Sequence, residues 1–416
     1  MSDRLHYASQ AFAPYIGVAP LMRHAFANEN MKPIGEALLK RAEENADDAH
    51  ALMDCSNYLQ IIGHHDLALE MQAQAIKIQA LYSIPAQQAN PGIRLLVIMG
   101  PGDLMSNTPI EFLVEDSDVH LDMLYLTLDS DWPEMVPEHD VMLVGVAESE
   151  ANHPLLHEIA LWTARWPRPV INLPEYLARC SRDGVCAALS DCAGIVMPLT
   201  VRANRATLEQ LSRGTISVST LLPGDQFPLI VRPLGSHAGK DLDKFDTPED
   251  LMPYLERVGA DAFYVSRFVD YRNSDGLFRK YRVALIEGKP YICHYAISSH
   301  WMIHYLNAGM NESAAKRAEE AACMAHFDEQ FAQRHADALQ MIYERMGMDY
   351  LGIDCAETQD GDLLIFEIDN AMVVHAMDPV DMYPYKKPAM QKVFDAFRQM
   401  LENARQKAAT EEREHQ

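Results

Sequence analysis

Four side chains with oxygen donors interrupt the apolar runs near the end of the chain. Asp354 lies in the run 350–355, and Glu367, Asp369 and Asn370 close the run 363–370. Between them Gln359-Asp-Gly-Asp362 reads as a turn, so the two runs predict a pair of short strands. Such a hairpin brings Asp354 alongside Glu367. Asp369 shares the face of Glu367, because strand side chains repeat every two residues. Three carboxylates on one face of a buried strand are costly unless a cation neutralises them. With oxygen donors and no His or Cys among them, the set favours a hard ion, and Mg²⁺ bridging to a nucleotide phosphate is the usual case. Asp354, Glu367, Asp369 and Asn370 are therefore the expected metal ligands. A solvated acidic hairpin is the competing reading, and it is disfavoured because the acids sit within the apolar run.

An anion next to such a metal needs positive charge in an acidic chain. The expected strand 228–231 leads through Arg232-Pro233 into Gly235-Ser236-His237-Ala238-Gly239-Lys240. Glycines let backbone N–H groups approach phosphate oxygens, and Arg232 and Lys240 bracket the loop with charge. A surface turn is the alternative for this loop taken alone. The most basic segment, 263–290, carries Arg267, Arg272, Arg279, Lys280 and Arg282 on or beside expected strands 263–269, 280–286 and 291–295. Of these, Arg282 inside its strand is the preferred phosphate contact. Further on, His300 and His304 stand four apart around Trp301 and Tyr305. No third His or Cys supports zinc there. Both could act as a base for an amine or contact substrate, His300 being the preferred catalytic candidate, with structural packing as the alternative. His375 is a further candidate lining residue.

The positioning elements follow from hydrophobic periodicity. Residues 33–45 and 48–82 read as helices, the second split at Gly63-His-His-Asp66, with small residues at a helix crossing. One tetratricopeptide-like pair or a plain helical hairpin packed on the next domain both fit. Residues 83–92, with Pro85 and Pro91, read as a linker. The segment 93–175 alternates strands (93–99, 122–128, 141–146, 169–173) with helices (near 108–115, and 154–165), an open and mostly parallel α/β sheet. Gly100-Pro-Gly-Asp103 reads as a strand-to-helix turn that lines a crevice at the strand ends, and not as a dinucleotide fingerprint. Helices are expected over 310–346 and 384–408, ahead of a charged tail.

Composition narrows the class. At 416 residues and 48% apolar, the chain is long enough for several domains with ample core. A formal charge of −25 argues against nucleic acid or an anionic membrane as partner. No apolar run reaches transmembrane length, and the N-terminus lacks a signal-peptide pattern, so a cytoplasmic protein is expected. The seven cysteines show no CxxC pair and read as reduced, mostly core thiols.

In this order the pieces resemble the ATP-grasp superfamily over about residues 93–375, in the branch of ribosomal-protein glutamate ligases, glutathione synthetases and D-alanine ligases. The matching residues are Ile171-Asn172-Leu173-Pro174, the entry Gly194–Thr200, Ile230-Val231-Arg232-Pro233 with the loop Gly235–Gly239, the adenine-holding Val265-Ser266-Arg267-Phe268-Val269, Arg282, Asn307-Ala308-Gly309, and the metal acids Asp354, Glu367 and Asp369. The resemblance implies an α/β (α+β ATP-grasp) fold. It comprises a helical region 1–85, a Rossmann-like pre-ATP-grasp domain 93–175, an ATP-grasp domain 176–400 of two α+β subdomains, and a tail 401–416. It implies ATP and Mg²⁺ as cofactors, with Arg232, Gly235, Ser236, His237, Gly239, Lys240, Arg267, Phe268, Val269 and Arg282 around the nucleotide.

Three positions depart from the family pattern. Ser181-Arg182-Asp183-Gly184 stands where the first phosphate lysine is usual, Arg232 replaces a lysine, and Asp369 replaces an asparagine. The activity implied is a carboxylate–amine ligase acting on small-molecule or peptide substrates through an acyl-phosphate, with release of ADP and phosphate. An ester-forming ligase and a catalytically silent interaction module are the alternatives. A protein partner on the N-terminal helices and a homo-oligomer stay open.

Overall fold

The computed structural model describes residues 12–88, 92–133, 135–236 and 239–414. His237, expected in the glycine loop, lies outside them. The fold is mixed α/β, with three sheets among the described residues. Two compact units divide the chain. The first takes 1–178, 348–352 and 369–416; the second takes 179–347 and 353–368.

The first unit opens with helices α1 (Val18–Phe26), α2 (Lys32–Glu44), α3 (Ala49–Ile61) and α4 (His65–Ile78). They are followed by β1 (Leu81–Ile84), β2 (Ile93–Met99), α5 (Ile110–Leu113), β3 (Val119–Tyr125), β4 (Val141–Val144), α6 (His153–Thr163), β5 (Val170–Ile171) and α7 (Pro174–Leu177). The sheet order is β1-β3-β2-β4-β5. β2, β3, β4 and β5 run parallel, and β1 pairs antiparallel with β3. Near-continuous Val, Leu, Ile and Met in β2 and β4 is what a parallel strand covered on both faces demands.

The expected boundary between 1–85 and 93–175 therefore does not separate compact units. The linker begins as an edge strand, since Ser83 and Ile84 pair with Asp122 and Leu121. α3 and α4 form the expected hairpin, but α3 is buried along nearly its whole length, including Asp54, Ser56, Asn57 and Gln60. Its polar groups serve the neighbouring chain. Gln60 Oε1 accepts from Leu104 N at 2.8 Å, and Gln72 of α4 bonds both N and O of Gly102 at 2.8 and 2.9 Å. The Gly100–Asp103 turn is thus clamped by the helical hairpin.

Two buried carboxylates hold the segment that enters α1. Asp54 accepts from Ile16 N and Gly17 N at 3.0 and 3.1 Å. Glu111 accepts from Ala19 N at 2.9 Å and from the Tyr15 hydroxyl at 3.1 Å. Gly17, at φ +92°, passes so close that a Cβ would lie 2.5 Å from Glu111 Oε2. Burial pushes both carboxyls up to about 7, against the backbone N–H bonds that favour the charged forms.

Asn172 ties two distant parts of this unit. It adopts φ +57°, where Asn is tolerated better than most residues. Its amide donates to Tyr350 O at 2.8 Å and accepts from Tyr350 N at 3.2 Å, in the manner of a strand neighbour. The C-terminal helix Lys386–Glu414 packs on β2 and β4. Met390, Val393, Phe397, Met400 and Leu401 form its buried stripe at three-to-four spacing. The expected tail from 401 is not a separate part: Leu401 is fully buried, and Arg405 donates to Gly92 O at 2.8 Å. No described helix is long and apolar enough to cross a membrane. None of the seven cysteines forms a disulfide and six are buried, consistent with core thiols.

The second unit contains two sheets. Its elements are α8 (Arg182–Leu189), β6 (Ile195–Val196), β7 (Thr200–Asn204), α9 (Arg205–Ser212), β8 (Leu229–Pro233), β9 (Asp243–Phe245), α10 (Leu251–Arg257) and β10 (Ala262–Arg267). After them come β11 (Phe278–Ile286), β12 (Lys289–Ser298), α11 (Ala314–Ala325), α12 (Phe331–Arg334), α13 (Ala336–Met346), β13 (Tyr350–Glu357) and β14 (Leu363–Asp369), the last two shared along the chain with the first unit. The sheet β7-β10-β8-β9 buries Leu229, Val231, Phe263 and Val265 against Leu208 and Leu211 of α9 and Leu251 and Leu255 of α10. The sheet β12-β11-β13-β14-β6 contains the expected hairpin. The helix expected over 310–346 is two helices with a short α12 between them. Phe327 and Phe331, stacked at 5.1 Å, turn the chain in against Tyr281 of β11.

Two outcomes test this architecture. Asn172→Ala leaves both backbone groups of Tyr350 without their partner and is expected to cost about 2–4 kcal/mol in urea unfolding. The second outcome concerns pH. A carboxyl whose folded value lies above its unfolded one favours the native state when protonated. The stabilising contribution of Asp54 and Glu111 is therefore present below about pH 4 and lost as pH rises toward 7. Thermal unfolding should show stability falling by roughly 1–3 kcal/mol from pH 5 to pH 8, and Asp54→Asn or Glu111→Gln should flatten that slope.

Candidate active site

The site residues of the second unit lie on the polar faces of its two sheets. In the first of these sheets, β7, β10 and β8 bring Arg202, Tyr264 and Arg232 into one cross-strand row. Cross-strand partners share a face, and here that face is opposite the apolar one. Arg202 pairs with Asp183 at 2.8 Å, and the Tyr264 hydroxyl donates to the same carboxylate at 3.4 Å. Arg232 is buried. Its Nε donates to Ser236 Oγ at 3.1 Å and its Nη2 to Ser236 O, so the guanidinium braces the start of the glycine loop. Burial, then repulsion from Arg182, pushes the Arg232 guanidinium down to about 10, with Glu367 opposing. Gly235 and Gly239 adopt φ of +70° and +74°, the backbone a nest requires. Lys240 is exposed beyond them.

In the second sheet, β11 carries Lys280 and Arg282 two residues apart and hence on one face. Arg282 reaches Asp354 of β13 through Nε–Oδ1 at 2.8 Å and Nη2–Oδ2 at 2.9 Å. Lys280 Nζ donates to the same Oδ2 at 2.9 Å. A register shift follows Arg282, whose partner is His294 while that of Val283 is Ile292. Such bulges re-aim side chains next to functional sites. On β14, Glu367 Oε1 accepts from Arg182 Nη2 at 2.6 Å, and Arg182 Nη1 also binds Phe366 O at 3.0 Å. Arg182 is the first residue of α8, capped by Ser181, which accepts from Gly184 N.

Charge explains the protonation of this cluster. Burial alone would raise the Asp354 carboxyl, but Arg282 and Lys280 hold it well below the usual carboxylate range. Burial likewise pulls on the Arg282 guanidinium, and the Asp354 carboxylate outweighs it, holding the proton more tightly than usual. Glu367 is also kept ionised against burial, chiefly by Arg182 and then Arg232. His304 is pushed below its ordinary value by burial and then by Lys280 and Arg282, so its imidazole is neutral at pH 7.

The structure brings together Arg232, Arg282, Asp354 and Glu367 of the expected residues. It adds Arg182, Lys280 and His304, which were not assigned to the nucleotide or the metal. The period of two back from Arg282 marks Lys280. Nothing local marks Arg182, whose role depends on where α8 ends. Asp369 closes β14 with its carboxylate accepting from Ala371 N at 2.9 Å. Asn370 is fully buried in the first unit, its Nδ2 donating to Thr108 Oγ1, Gly145 O and Val146 O at 3.1–3.3 Å, while its Oδ1 has no hydrogen-bond partner among the described residues. Among the described residues no three His, Cys, Asp or Glu side chains gather as a metal-binding group, so the expected carboxylate triad is not preformed. Arg267 is exposed and pairs loosely with Asp225 at 3.7 Å. Phe268 donates its N–H to Pro228 O at 3.0 Å, its ring meets Trp301 edge-on at 5.6 Å, and Val269 beside it is half-buried. His300 lies exposed against Trp301, its Nδ1 accepting from Met302 N at 3.2 Å. His375 belongs to the first unit, where it packs on Phe26 and Phe112.

No family model matches the chain. No curated protein matches it either. Solved structures do. A D-alanine–D-alanine ligase from Bacillus anthracis, complexed with ATP, is similar at 14% identity, with 76% of this chain and 99% of that chain covered and a TM-score of 0.44. D-alanyl-alanine synthetase A from Vibrio cholerae O1 biovar eltor str. N16961 is similar at 13% identity, with 76% and 99% covered and a TM-score of 0.47. A RimK domain protein ATP-grasp from Sphaerobacter thermophilus DSM 20745 is similar at 12% identity, with 73% and 98% covered and a TM-score of 0.41. At these values the likeness carries no function, which must be argued from the residues.

Proposed function

We propose that the protein is an ATP-dependent ligase of ATP-grasp type that joins a carboxylate to an amine. The observation that carries this reading is the charge balance of the second unit's sheet faces. Arg182, Arg232, Lys280 and Arg282 face the carboxylates of Asp354 and Glu367, a local surplus of two positive charges in a chain of formal charge −25. ATP with one bound Mg²⁺ carries about two negative charges, so the surplus suits that ligand. The glycine loop, braced by Arg232, supplies backbone N–H groups for phosphate oxygens.

The chemistry follows from what these groups can do. A substrate carboxylate oxygen attacks the γ-phosphorus, the bond to the ADP oxygen breaks, and an acyl-phosphate forms. An amine nitrogen then attacks the acyl carbon, phosphate leaves with the C–O electron pair, and the amine loses a proton. Arg232 and Arg282 stabilise charge on the transferring oxygens. The loop excludes water, which would otherwise hydrolyse the acyl-phosphate. His304, neutral at pH 7 beside Lys280 and Arg282, joins His300 as a candidate to take the amine proton. The donor set fits Mg²⁺ in one respect: this ion is commonly held by one or two carboxylates plus phosphates and water. Glu367, whose side chain is 32% exposed, would hold it, and the ion would neutralise charge on the β- and γ-phosphates.

The test is a screen of amino acids, peptides and other carboxylates with ATP, read by nucleotide product and product mass. ADP and phosphate are expected, and AMP with pyrophosphate would exclude the acyl-phosphate route. A hydroxyl acceptor would show as an ester mass. Glu367→Gln is expected to lower turnover by about 100-fold or more with the melting temperature unchanged; an unaffected rate removes Glu367 from the site.

A further inference from the structure

We propose that Lys280 stands in for a second divalent cation, so that nucleotide binds with a single Mg²⁺ at Glu367 while Asp354 remains an ion-paired anchor and not a metal ligand. This rests on the nucleotide reading above and goes beyond it, because the carboxylates by themselves leave one or two ions open.

The two carboxylates differ in what already occupies them. Both oxygens of Asp354 are bonded, Oδ1 by Arg282 Nε at 2.8 Å and Oδ2 by Arg282 Nη2 and Lys280 Nζ at 2.9 Å each. Its side chain is 6% exposed, and those of Lys280 and Arg282 are 12% and 20% exposed. Mg²⁺ must approach a carboxylate oxygen to about 2.0–2.1 Å and keeps near-octahedral geometry. At Asp354 it would arrive inside a fork already made by two fixed cations, with strong repulsion at low dielectric. Glu367 has one strong contact, Arg182 at Oε1, and is far more open.

Lys280 is suited to the part by position and chemistry. It lies on the same strand face as Arg282, opposite Ala296 of β12, whose small side chain leaves the ammonium room. An ammonium is a compact point charge with three donors, so it can hold Asp354 and still donate to a phosphate oxygen. Arginine at 232 and 282 supplies planar forks; lysine at 280 supplies the compact charge that an ion would otherwise bring.

The experiment counts metal on the full-length chain. Mn²⁺ is titrated against protein saturated with β,γ-imido-ATP, and free Mn²⁺ is read by electron paramagnetic resonance. About one Mn²⁺ per nucleotide-bound chain is expected, rising to about two in Lys280→Met, since removing the ammonium opens a place for a second ion. Lys280→Gln repeats the test if the methionine variant does not fold, and Asp354→Asn should keep the count at about one. Two ions in the unaltered protein, a count unchanged by loss of Lys280, or loss of the ion in Asp354→Asn each overturns the inference. Failure of β,γ-imido-ATP to bind at all would instead overturn the ligase reading beneath it.

Discussion

Asp354 is buried and ionised, and the cations of the neighbouring strand make that state tolerable. A carboxylate removed from water costs several kcal/mol unless paired and hydrogen-bonded. Arg282 supplies a two-point fork and Lys280 a third contact. That requirement fixes the register of β11 against β13, because a slip of one residue would turn both cations to the opposite face. There Tyr281 packs on Phe331 and donates to Glu357 at 3.0 Å. The charged face and the aromatic face of this sheet therefore specify each other.

The same logic places Arg182 and Arg232. Glu367 sits on β14 next to the strand of Asp354, and the two carboxylates repel. Arg182, at the start of α8, offsets that repulsion while its second nitrogen binds Phe366 O. Burial and then repulsion from Arg182 push the Arg232 guanidinium down to about 10, and Glu367 partly offsets them. A guanidinium that is buried, crowded by another and bonded mainly to its own loop is held by weak local partners. An incoming phosphate would compete well for it, since phosphate offers a charged acceptor where Ser236 offers neutral ones.

Much of this architecture is legible in the sequence, and the exceptions share a cause. The hairpin of β13 and β14 is readable because its turn residues and apolar runs are local signals. The parallel sheet of the first unit is readable because fully buried strands are continuously apolar. Arg182 is not, because its partner lies 185 residues away in the chain; Lys280 is marked by its place two residues before Arg282, but its ion pair with Asp354, 74 residues on, is not. The clamp of α3 on the Gly100–Asp103 turn is hidden in the same way. Asp54, Asn57 and Gln60 look like the wet side of an amphipathic helix until the chain they bind is known. Asn370 reads as a ligand by its place beside Asp369, and the contacts of its amide nitrogen with Thr108 and the backbone after β4 are hidden from the sequence by distance along the chain.

The first unit also shows how buried polar groups can define a fold that burial of apolar surface alone would leave loose. Asn172, Asp54, Glu111, Gln60 and Gln72 each satisfy backbone N–H or C=O groups in loops or in the first turn or residue of a helix or strand. An unsatisfied buried backbone group costs about 1–3 kcal/mol, so each of these side chains excludes alternative chain paths as well as stabilising the observed one. The two acids among them do this in an environment that resists their charge. The N–H groups of the segment from Tyr15 to Ala19 favour the ionised forms while burial opposes them, whereas the acids of the second unit are held ionised by arginine and lysine. Burial raises the carboxyls of Asp54 and Glu111, whereas arginine and lysine lower those of Asp354 and Glu367, and the difference lies chiefly in whether the donors that reach them are neutral or charged.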